Sequence, residues 1–203
     1  MLYLICTPIG NLNDLSFRSI NTLKEVDLIY AEDTRVAAKL LHHFNIQKKT
    51  IPFHEHNEVN QILEIIACLS DGGSVAVMSD AGAPLISDPG YPLIKKCIEL
   101  DLKFTVLPGP SSIINAVLLS GIPSNQFLFF GFLPRQNAAR KKVALDLKRD
   151  GMPYVFFESA KRLSKTLEIF FEVLDRNTQV SICREMTKEY ESIYRGSLEQ
   201  INS

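Results

Sequence analysis

The chain has 203 residues, of which 46% are hydrophobic and 22% are charged, and its net charge is −1. This composition predicts a protein that buries a substantial core in one large domain or two small ones, and it argues against a chain coated in positive charge. Met1 leads into LYLIC without a basic leader, and no apolar run approaches the roughly twenty residues that a membrane span needs, so we expect a cytoplasmic protein without membrane contact. The cysteines are far apart and lie among apolar neighbours, which favours buried free thiols over a disulfide framework or a zinc site.

Short apolar runs alternate with helical patterns through the first part of the chain. Strands are predicted at 2–6, 26–31, 50–53, 74–79 and 103–108, and helices near 16–25, 33–44, 58–70, 91–100 and 111–120. This alternation predicts an α/β architecture with a mostly parallel sheet. Gly121 and Pro123 then mark the end of the fifth helix and a linker, so residues 1–121 are predicted to form the N-terminal domain.

The pattern changes beyond the linker. Strands are predicted at 127–132, 154–159, 179–183 and 191–195, with helices near 137–149 and 161–174. We interpret residues 126–203 as a second, smaller α/β domain, so the expected fold class is a two-domain α/β protein.

The two parts differ in charge. Residues 1–125 carry 9 Lys and Arg against 13 Asp and Glu, and residues 126–203 carry 13 against 10, so the net charges are −4 and +3. The basic excess lies mainly in 135–149 and 161–165, which predicts a basic face on the second domain. Solvated helix faces that bind nothing are the alternative interpretation.

Three loops rich in glycine, proline and serine follow predicted strands: TPIGNLND at 7–14, SDAGAPLISDPG at 79–90 and PGPSS at 108–112. Ligands of open parallel sheets bind beyond the carboxyl ends of strands, where glycine lets the backbone approach closely and proline stiffens the wall. The polyphosphate motifs GxxxxGK[ST] and GxGxxG are absent. Asp80 and Asp88 instead point to a ligand with hydroxyls or a positive charge, and the apolar walls to a flat ring. S-adenosylmethionine has these features; the alternative is that both aspartates cap turns.

Several longer motifs resemble those of the ribosomal RNA small subunit methyltransferase I family, within the tetrapyrrole methylase superfamily. They are TPIGNLNDLSFRS, AEDTR, HEHNE, SDAGAPLISDPGYPL, LPGPSSIINA, GFLPR, VFFES and REMTKEYE, in this order and over nearly the whole chain. The resemblance implies methyl transfer from S-adenosylmethionine to the ribose 2′-hydroxyl of a cytidine in the decoding region of 16S rRNA, with assembled 30S subunits as substrate. It also implies two α/β domains with the cofactor between them, and a homodimer.

The resemblance also implies which residues contact the cofactor and, with the charge pattern, which contact RNA. The expected cofactor-binding residues are Pro8, Ile9, Gly10, Asp80, Ala81, Gly82, Ile86, Ser111, Ser112, Glu158 and Met186. The expected RNA-binding residues are Arg135, Arg140, Lys141, Lys142, Lys161 and Arg162. No metal is expected.

A ribose hydroxyl is a poor nucleophile and needs a base or polarising group within hydrogen-bond reach. The candidates are Asp33, Arg35, His54, His56, Glu185 and Lys188. His54 and His56 could instead bind a metal, but no third ligand is evident. Asp33 or Thr34 could simply cap the next helix, with Arg35 paired to Glu32.

The chain departs from the family pattern in two places. Ala83 stands where the family usually has threonine, and the sequence ends at RGSLEQINS where relatives continue into a further apolar strand, so we expect a shortened second sheet and weaker RNA binding.

Apolar surface from 127–132 and 169–174 supports the homodimer, with ordinary core packing as the alternative. A small-molecule tetrapyrrole-type methylase and a cofactor-binding protein without catalysis remain alternative functions.

Overall fold

The computed structural model describes residues 1–202, apart from the side chain of Asp150. The chain divides into two compact units, Met1–Ser111 and a second that begins at Ser112. The observed boundary lies earlier in the chain than residue 121, where we predicted it, because the helix at Ser112–Ser120 packs on strands of the second unit. A helix pattern alone does not reveal which sheet the helix will cover.

The first unit contains a five-stranded, entirely parallel sheet, and the predicted alternation is confirmed. Its strands are β1 (Leu2–Ile5), β2 (Leu28–Ala31), β3 (Thr50–Pro52), β4 (Val75–Met78) and β5 (Phe104–Leu107), in the spatial order β3-β2-β4-β1-β5. Its helices are α1 (Phe17–Glu25), α2 (Thr34–His43), α3 (Glu58–Ser70) and α4 (Tyr91–Glu99).

Helices cover both faces of this sheet. Leu23 of α1 and Leu40 and Leu41 of α2 are buried with Ile5 and Met78 on one face. Ile65 and Leu69 of α3 and Leu93 and Cys97 of α4 are buried on the other, against strand residues that include Leu2, Val75 and Val77. Every residue of β4 is buried, as expected for a central strand that packs on both sides.

The strand order creates a crevice between β1 and β4. The connection from β1 runs through α1 to β2, and the connection from β4 runs through α4 to β5, so the two neighbouring strands send their chains to opposite faces of the sheet. Such a switch point leaves an opening outside the carboxyl ends of the two strands. The first two glycine-rich loops begin there.

Over residues 112–202, the second unit contains two small sheets and four helices. β6 (Leu128–Phe132) and β7 (Tyr154–Phe157) are parallel, and β8 (Gln179–Arg184) and β9 (Ser192–Ser197) form an antiparallel pair. The helices are α5 (Ser112–Ser120), α6 (Asn137–Asp150), α7 (Ala160–Val173) and the short α8 (Leu198–Asn202), which the sequence did not predict.

The core of the second unit includes α7, whose Ile169, Phe170 and Val173 are buried with Val143 and Leu198. The apolar segment 169–174 is therefore packed mainly inside its own unit, and it does not supply the spare surface that we expected for a dimer. All four cysteines are free, as predicted, but only Cys6 and Cys97 are buried, whereas Cys68 and Cys183 are partly exposed. Within residues 1–202, no helix is long and apolar enough to cross a membrane.

Candidate functional site

A cavity of about 230 Å³ opens at the switch point between β1 and β4. The loop after β1, the end of β4 with its following loop, and one side of α2 line it: Pro8, Ile9, Gly10, Leu12, Met78, Ser79, Asp80, Ala81, Val36, Ala37, Lys39 and Leu40. Five predicted cofactor residues, Pro8, Ile9, Gly10, Asp80 and Ala81, thus meet in one pocket. The contribution of α2, including the cation of Lys39, was not predicted, because helix periodicity does not show which turn faces a neighbouring loop.

Gly82 joins the two loops. The Thr7 amide donates to the Gly82 carbonyl at 2.9 Å, and the Gly82 amide donates to the Thr7 carbonyl at 3.0 Å. The Ser79 hydroxyl donates to the same Gly82 carbonyl at 3.0 Å, and the Thr7 hydroxyl donates to the Ser79 carbonyl at 3.1 Å. Gly82 has a φ of +86°, which a side chain would strain. It therefore fixes the pocket walls in place and does not itself line the cavity.

Two further glycines hold the neighbouring loops. A Cβ at Gly109 would lie 3.0 Å from Cys6 Cβ and 3.2 Å from the Cys6 carbonyl oxygen, so the loop after β5 lies directly against the end of β1. The amide of Gly90, with a φ of +122°, donates to Glu58 Oε1 at 2.7 Å and ends the loop after β4. The first two loops are thus joined by backbone hydrogen bonds, the third lies against the end of β1, and Glu58 holds the end of the loop after β4.

The other residues predicted near these loops do not line the cavity. Ile86 is 46% exposed and lies between Leu85 and Ser87, whose φ values are +70° and +67°. Ser111 ends the first unit, whereas Ser112 begins α5 in the second.

The motif AEDTR places Asp33 at the start of α2. Its carboxylate accepts from the Arg35 amide at 2.8 Å and lies 2.6 Å from the Arg35 guanidinium, and its own amide donates to Asp80 Oδ1 at 3.0 Å. The hydrogen bonds from Arg35 lower the pKa of Asp33 to about 2. Asp33 therefore caps α2 and is a weak proton acceptor. Arg35 pairs with Asp33, whereas the alternative interpretation of the sequence had paired it with Glu32.

Glu32 occupies a different environment, which the sequence analysis missed. It lines a second cavity of about 10 Å³, the size of one water molecule, together with Asp88, Ser79, Pro84 and other residues of the β4 loop. Burial raises the pKa of Glu32, and the carboxylates of Asp88 and Asp80 raise it further. Burial, with a smaller contribution from Asp80, also raises the pKa of Asp88. The sequence signal that could have identified Glu32 is its position directly after the buried strand β2.

The resulting electrostatics fit S-adenosylmethionine and disfavour polyphosphates. Glu32 is coupled to Asp33, Asp80, Asp88 and Glu55 at the carboxyl edge of the sheet. Arg35 is paired to one of these carboxylates, and Lys39 is the cation that lines the larger cavity. Excess negative charge attracts a sulfonium and repels phosphate, while the apolar lining suits an adenine ring.

The histidine motif lies after β3. The rings of His54 and His56 are 5.9 Å apart in an edge-on arrangement, and the His54 amide donates to Asn57 Oδ1 at 2.9 Å. Neither histidine lines the two cavities described above. Over residues 1–202, no three His, Cys, Asp or Glu side chains form a group that could hold a metal ion. We therefore propose no role for these histidines in metal binding.

In the second unit, Glu158 is a half-buried residue whose carboxylate has several hydrogen-bond partners. It accepts from Thr166 Oγ1 and from the Ser159 amide, both at 2.8 Å, and lies 3.3 Å from Arg162 Nε, with a side chain only 8% exposed. A carboxylate engaged in this way stabilises the turn after β7.

Met186 lies in the turn between β8 and β9. Its neighbours Glu185 and Thr187 have φ values of +53° and +66°, which are unusual for residues with side chains. Glu185 is 3.1 Å from Lys188, so these two candidate catalytic groups neutralise each other.

The predicted RNA-binding set separates into buried and exposed members. Arg140 is only 2% exposed and donates to the carbonyls of Pro134 and Arg135, so, contrary to the prediction, its side chain is not available to contact RNA. The amphipathic pattern could not show this, because a charged residue on a helix is ordinarily solvated. Lys141 pairs with Glu172 at 3.1 Å. Arg135, Lys142 and Lys161 are exposed.

Comparisons with known sequences extend over the whole chain. A family model described as Tetrapyrrole (Corrin/Porphyrin) Methylases matches residues 1–202. A Halalkalibacterium halodurans protein named ribosomal RNA small subunit methyltransferase I is 46% identical over 199 residues, which are 98% of this chain and 68% of that protein. The Thermotoga maritima protein of the same name is 43% identical over 98% of this chain and 89% of its own length.

Solved structures show the same fold at low sequence identity. A diphthine synthase structure superposes with a TM-score of 0.76 at 14% identity, over 100% of this chain and 84% of that one. The methyltransferase CobJ gives a TM-score of 0.71 at 17% identity, over 98% and 86%. Methyltransferases of the tetrapyrrole methylase family use S-adenosylmethionine as cofactor. The sequence comparisons show that this chain belongs to that family, and within it to the group of ribosomal RNA small subunit methyltransferase I proteins.

Proposed function

We propose that this protein methylates ribosomal RNA, and that its target is the ribose 2′-hydroxyl of a cytidine in the decoding region of 16S rRNA within the 30S subunit. The observation that carries the proposal is the switch-point cavity, built from the TPIGN and SDAGA segments, in a chain that is 46% identical to a protein named ribosomal RNA small subunit methyltransferase I. The group of carboxylates at the carboxyl edge of the sheet, of which Asp80 lines the cavity, supports a cationic cofactor.

The residues that line the cavity contribute to S-adenosylmethionine binding in two ways. The segments 8–10 and 80–81 offer backbone groups, and Val36, Leu40 and Met78 offer an apolar wall. The cofactor supplies an electrophilic methyl group when bound. The chain contributes alignment, because displacement at that methyl requires the incoming oxygen to lie in line with the leaving sulfur.

The hydroxyl must lose its proton during the transfer, and we assign the acceptor role to Glu32 in place of Asp33. The small cavity that Glu32 lines shares two wall residues, Met78 and Ser79, with the larger cavity, so the two cavities are neighbours. Its raised pKa makes it a stronger base than Asp33, whose pKa of about 2 reflects its commitment to Arg35.

The experiment measures transfer of a labelled methyl group to purified 30S subunits that lack the modification. We expect transfer to 30S subunits to exceed transfer to bare 16S transcript, with the label on one cytidine ribose. Transfer to a tetrapyrrole but not to 30S subunits would establish the small-molecule alternative. Cofactor binding without transfer to either would establish a binding protein without catalysis.

Cofactor binding is tested separately by calorimetry, with and without a chelator. We expect S-adenosylmethionine to bind equally in both conditions. Binding that the chelator abolishes, or no binding by a folded protein, would contradict the assignment of the cavity.

We also propose a cytoplasmic homodimer. Exposed apolar side chains on two helices of the first unit support it: Val59 and Leu63 on α3, at 75% and 65% exposure, and Tyr91 and Ile98 on α4, at 74% and 65%. Light scattering coupled to size exclusion tests the assembly. A mass near 22.8 kDa at micromolar concentration would refute the dimer.

A further inference from the structure

Three phenylalanine rings cluster on one face of the β6–β7 pair. Phe132 and Phe157 are register partners with ring centroids 5.3 Å apart, and Phe129 lies 5.1 Å from Phe157 on the same face. Phe157 and Phe129 are half-buried, whereas Phe132, at the carboxyl end of β6, is 63% exposed. The Phe132 ring thus packs against Phe157, which in turn packs against Phe129, while most of the surface of Phe132 stays exposed.

The backbone beside Phe132 is fixed by two guanidinium groups. Arg140, which is 2% exposed, donates through Nε and Nη2 to the Pro134 carbonyl at 3.3 and 3.2 Å, and Nη2 also reaches the Arg135 carbonyl at 3.4 Å. Arg162 Nη2 donates to the carbonyls of Leu133 and Pro134, both at 2.8 Å. Three successive carbonyl oxygens are therefore withdrawn from the surface, and Arg140 Nη1 has no hydrogen-bond partner among residues 1–202.

The exposed charge around the phenylalanine cluster is positive. Glu158 directly follows Phe157, but its carboxylate is buried and paired with Arg162. Arg135 and Lys161 are exposed, and no carboxylate in the described part of the chain pairs with either.

The starts of two long helices add to this potential. α6 and α7 begin at Asn137 and Ala160, beyond the same ends of β6 and β7, and their N-cap residues Gln136 and Ser159 make no side-chain cap bond. Such helix starts carry amide donors and a partial positive charge, which at α7 is partly offset by the Glu158 carboxylate on the Ser159 amide.

We propose that this edge of the second unit binds single-stranded RNA, with one unstacked base on the exposed face of Phe132 and the flanking phosphates on Arg135 and Lys161. The inference rests on the proposed ribosomal substrate and adds the mode of contact. Aromatic rings bind unpaired bases through stacking, and cations beside them bind the backbone. An exposed phenylalanine is also suited to contact with a second copy of the chain. The exposed cations Arg135 and Lys161, which no carboxylate among residues 1–202 pairs with, favour a polyanion instead.

The test measures binding of a short, fluorescently labelled single-stranded RNA by anisotropy. Phe132→Ala is expected to weaken binding by about 5- to 150-fold, the range that loss of one base–aromatic stack covers, whereas Phe132→Tyr should retain it. Phe130→Ala is the control on the same strand, because Phe130 is 40% exposed and contacts Phe156 on the other side of the pair. Thermal unfolding and S-adenosylmethionine affinity should be unchanged in Phe132→Ala.

Salt titration separates stacking from charge. Phe132→Ala should leave the dependence of affinity on salt concentration unchanged, whereas Arg135→Ala should reduce the slope by about 0.7, the value for one phosphate of a single strand. Wild-type RNA affinity in Phe132→Ala, or full affinity in Phe132→Leu, would overturn the stacking site. A change of Phe132→Ala from dimer to monomer with RNA affinity intact would assign the ring to a second copy instead.

This test is independent of the activity assay. If 30S subunits are methylated and Phe132→Ala binds RNA normally, the stacking site alone is wrong. If no methylation occurs but RNA binding depends on Phe132, the proposed reaction is wrong and the RNA site stands.

Discussion

Substitution of Gly82 tests whether the two loops at the switch point form one preorganised wall. In Gly82→Ala the new Cβ would meet Ile9 Cγ2 at 3.5 Å and the Pro110 carbonyl oxygen at 3.8 Å, which are ordinary contacts. The penalty therefore comes mainly from a side chain at a φ of +86°, about 1–2 kcal/mol. In a protein of this size that loss lowers the melting temperature by about 2–8 °C.

The expected functional effect is larger than the loss of stability implies. Relief of the strain shifts the Thr7–Gly82 bridge, which moves Ile9 relative to Asp80 and Ala81. A misplaced wall should weaken S-adenosylmethionine binding by about tenfold, the equivalent of 1.4 kcal/mol. Isothermal titration calorimetry measures the affinity, and differential scanning calorimetry measures the stability.

Gly72→Ala is the matched control. Gly72 has a φ of +83°, and a Cβ there would meet no atom within 4 Å, so it carries the same backbone strain without a loop contact. We expect Gly72→Ala to lose comparable stability and keep full cofactor affinity. Equal cofactor affinities in the two variants would refute the argument that Gly82 organises the pocket.

Three other substitutions test the remaining assignments. Asp80→Asn should weaken S-adenosylmethionine binding by about tenfold, because it removes a charge from the cavity wall; unchanged affinity by calorimetry would remove Asp80 from the site. Burial raises the pKa of Glu32, so the folded state holds this proton more tightly than the unfolded chain, and stability falls as pH rises from the unfolded pKa through the folded one. Glu32→Gln should therefore increase the melting temperature at pH 7 more than at pH 4 while it abolishes methyl transfer; a pH-independent melting shift with full activity would contradict both roles. Arg140→Ala should destabilise the second unit by about 2–4 kcal/mol, because the Pro134 and Arg135 carbonyls lose a donor. The control Lys142→Ala should leave the melting temperature unchanged. An unaltered melting curve for Arg140→Ala would show that its hydrogen bonds are dispensable.

The sequence by itself determined the local elements of this protein and the region of its site. The run VAVM at 75–78 is apolar at every position, and such a run fits a strand that is covered on both faces, as β4 is. The predicted helices through residue 174 lie within a few residues of α1 to α7, because amphipathic periodicity and capping residues act over a single turn. Glycine and proline after β1 and β4 likewise marked the two loops that meet at the cavity.

Only the tertiary structure decided which of the charged residues are available for chemistry. Asp33 and Glu32 are adjacent in the chain, yet one is paired at the surface with Arg35 and the other is half-buried beside Asp88. Arg140 and Lys142 share one helix, yet only Arg140 turns inward, to carbonyls six and five residues before it. Burial and pairing depend on where neighbouring loops and helices lie in space, which no local pattern in the sequence encodes. In the first unit those positions follow from the strand order β3-β2-β4-β1-β5.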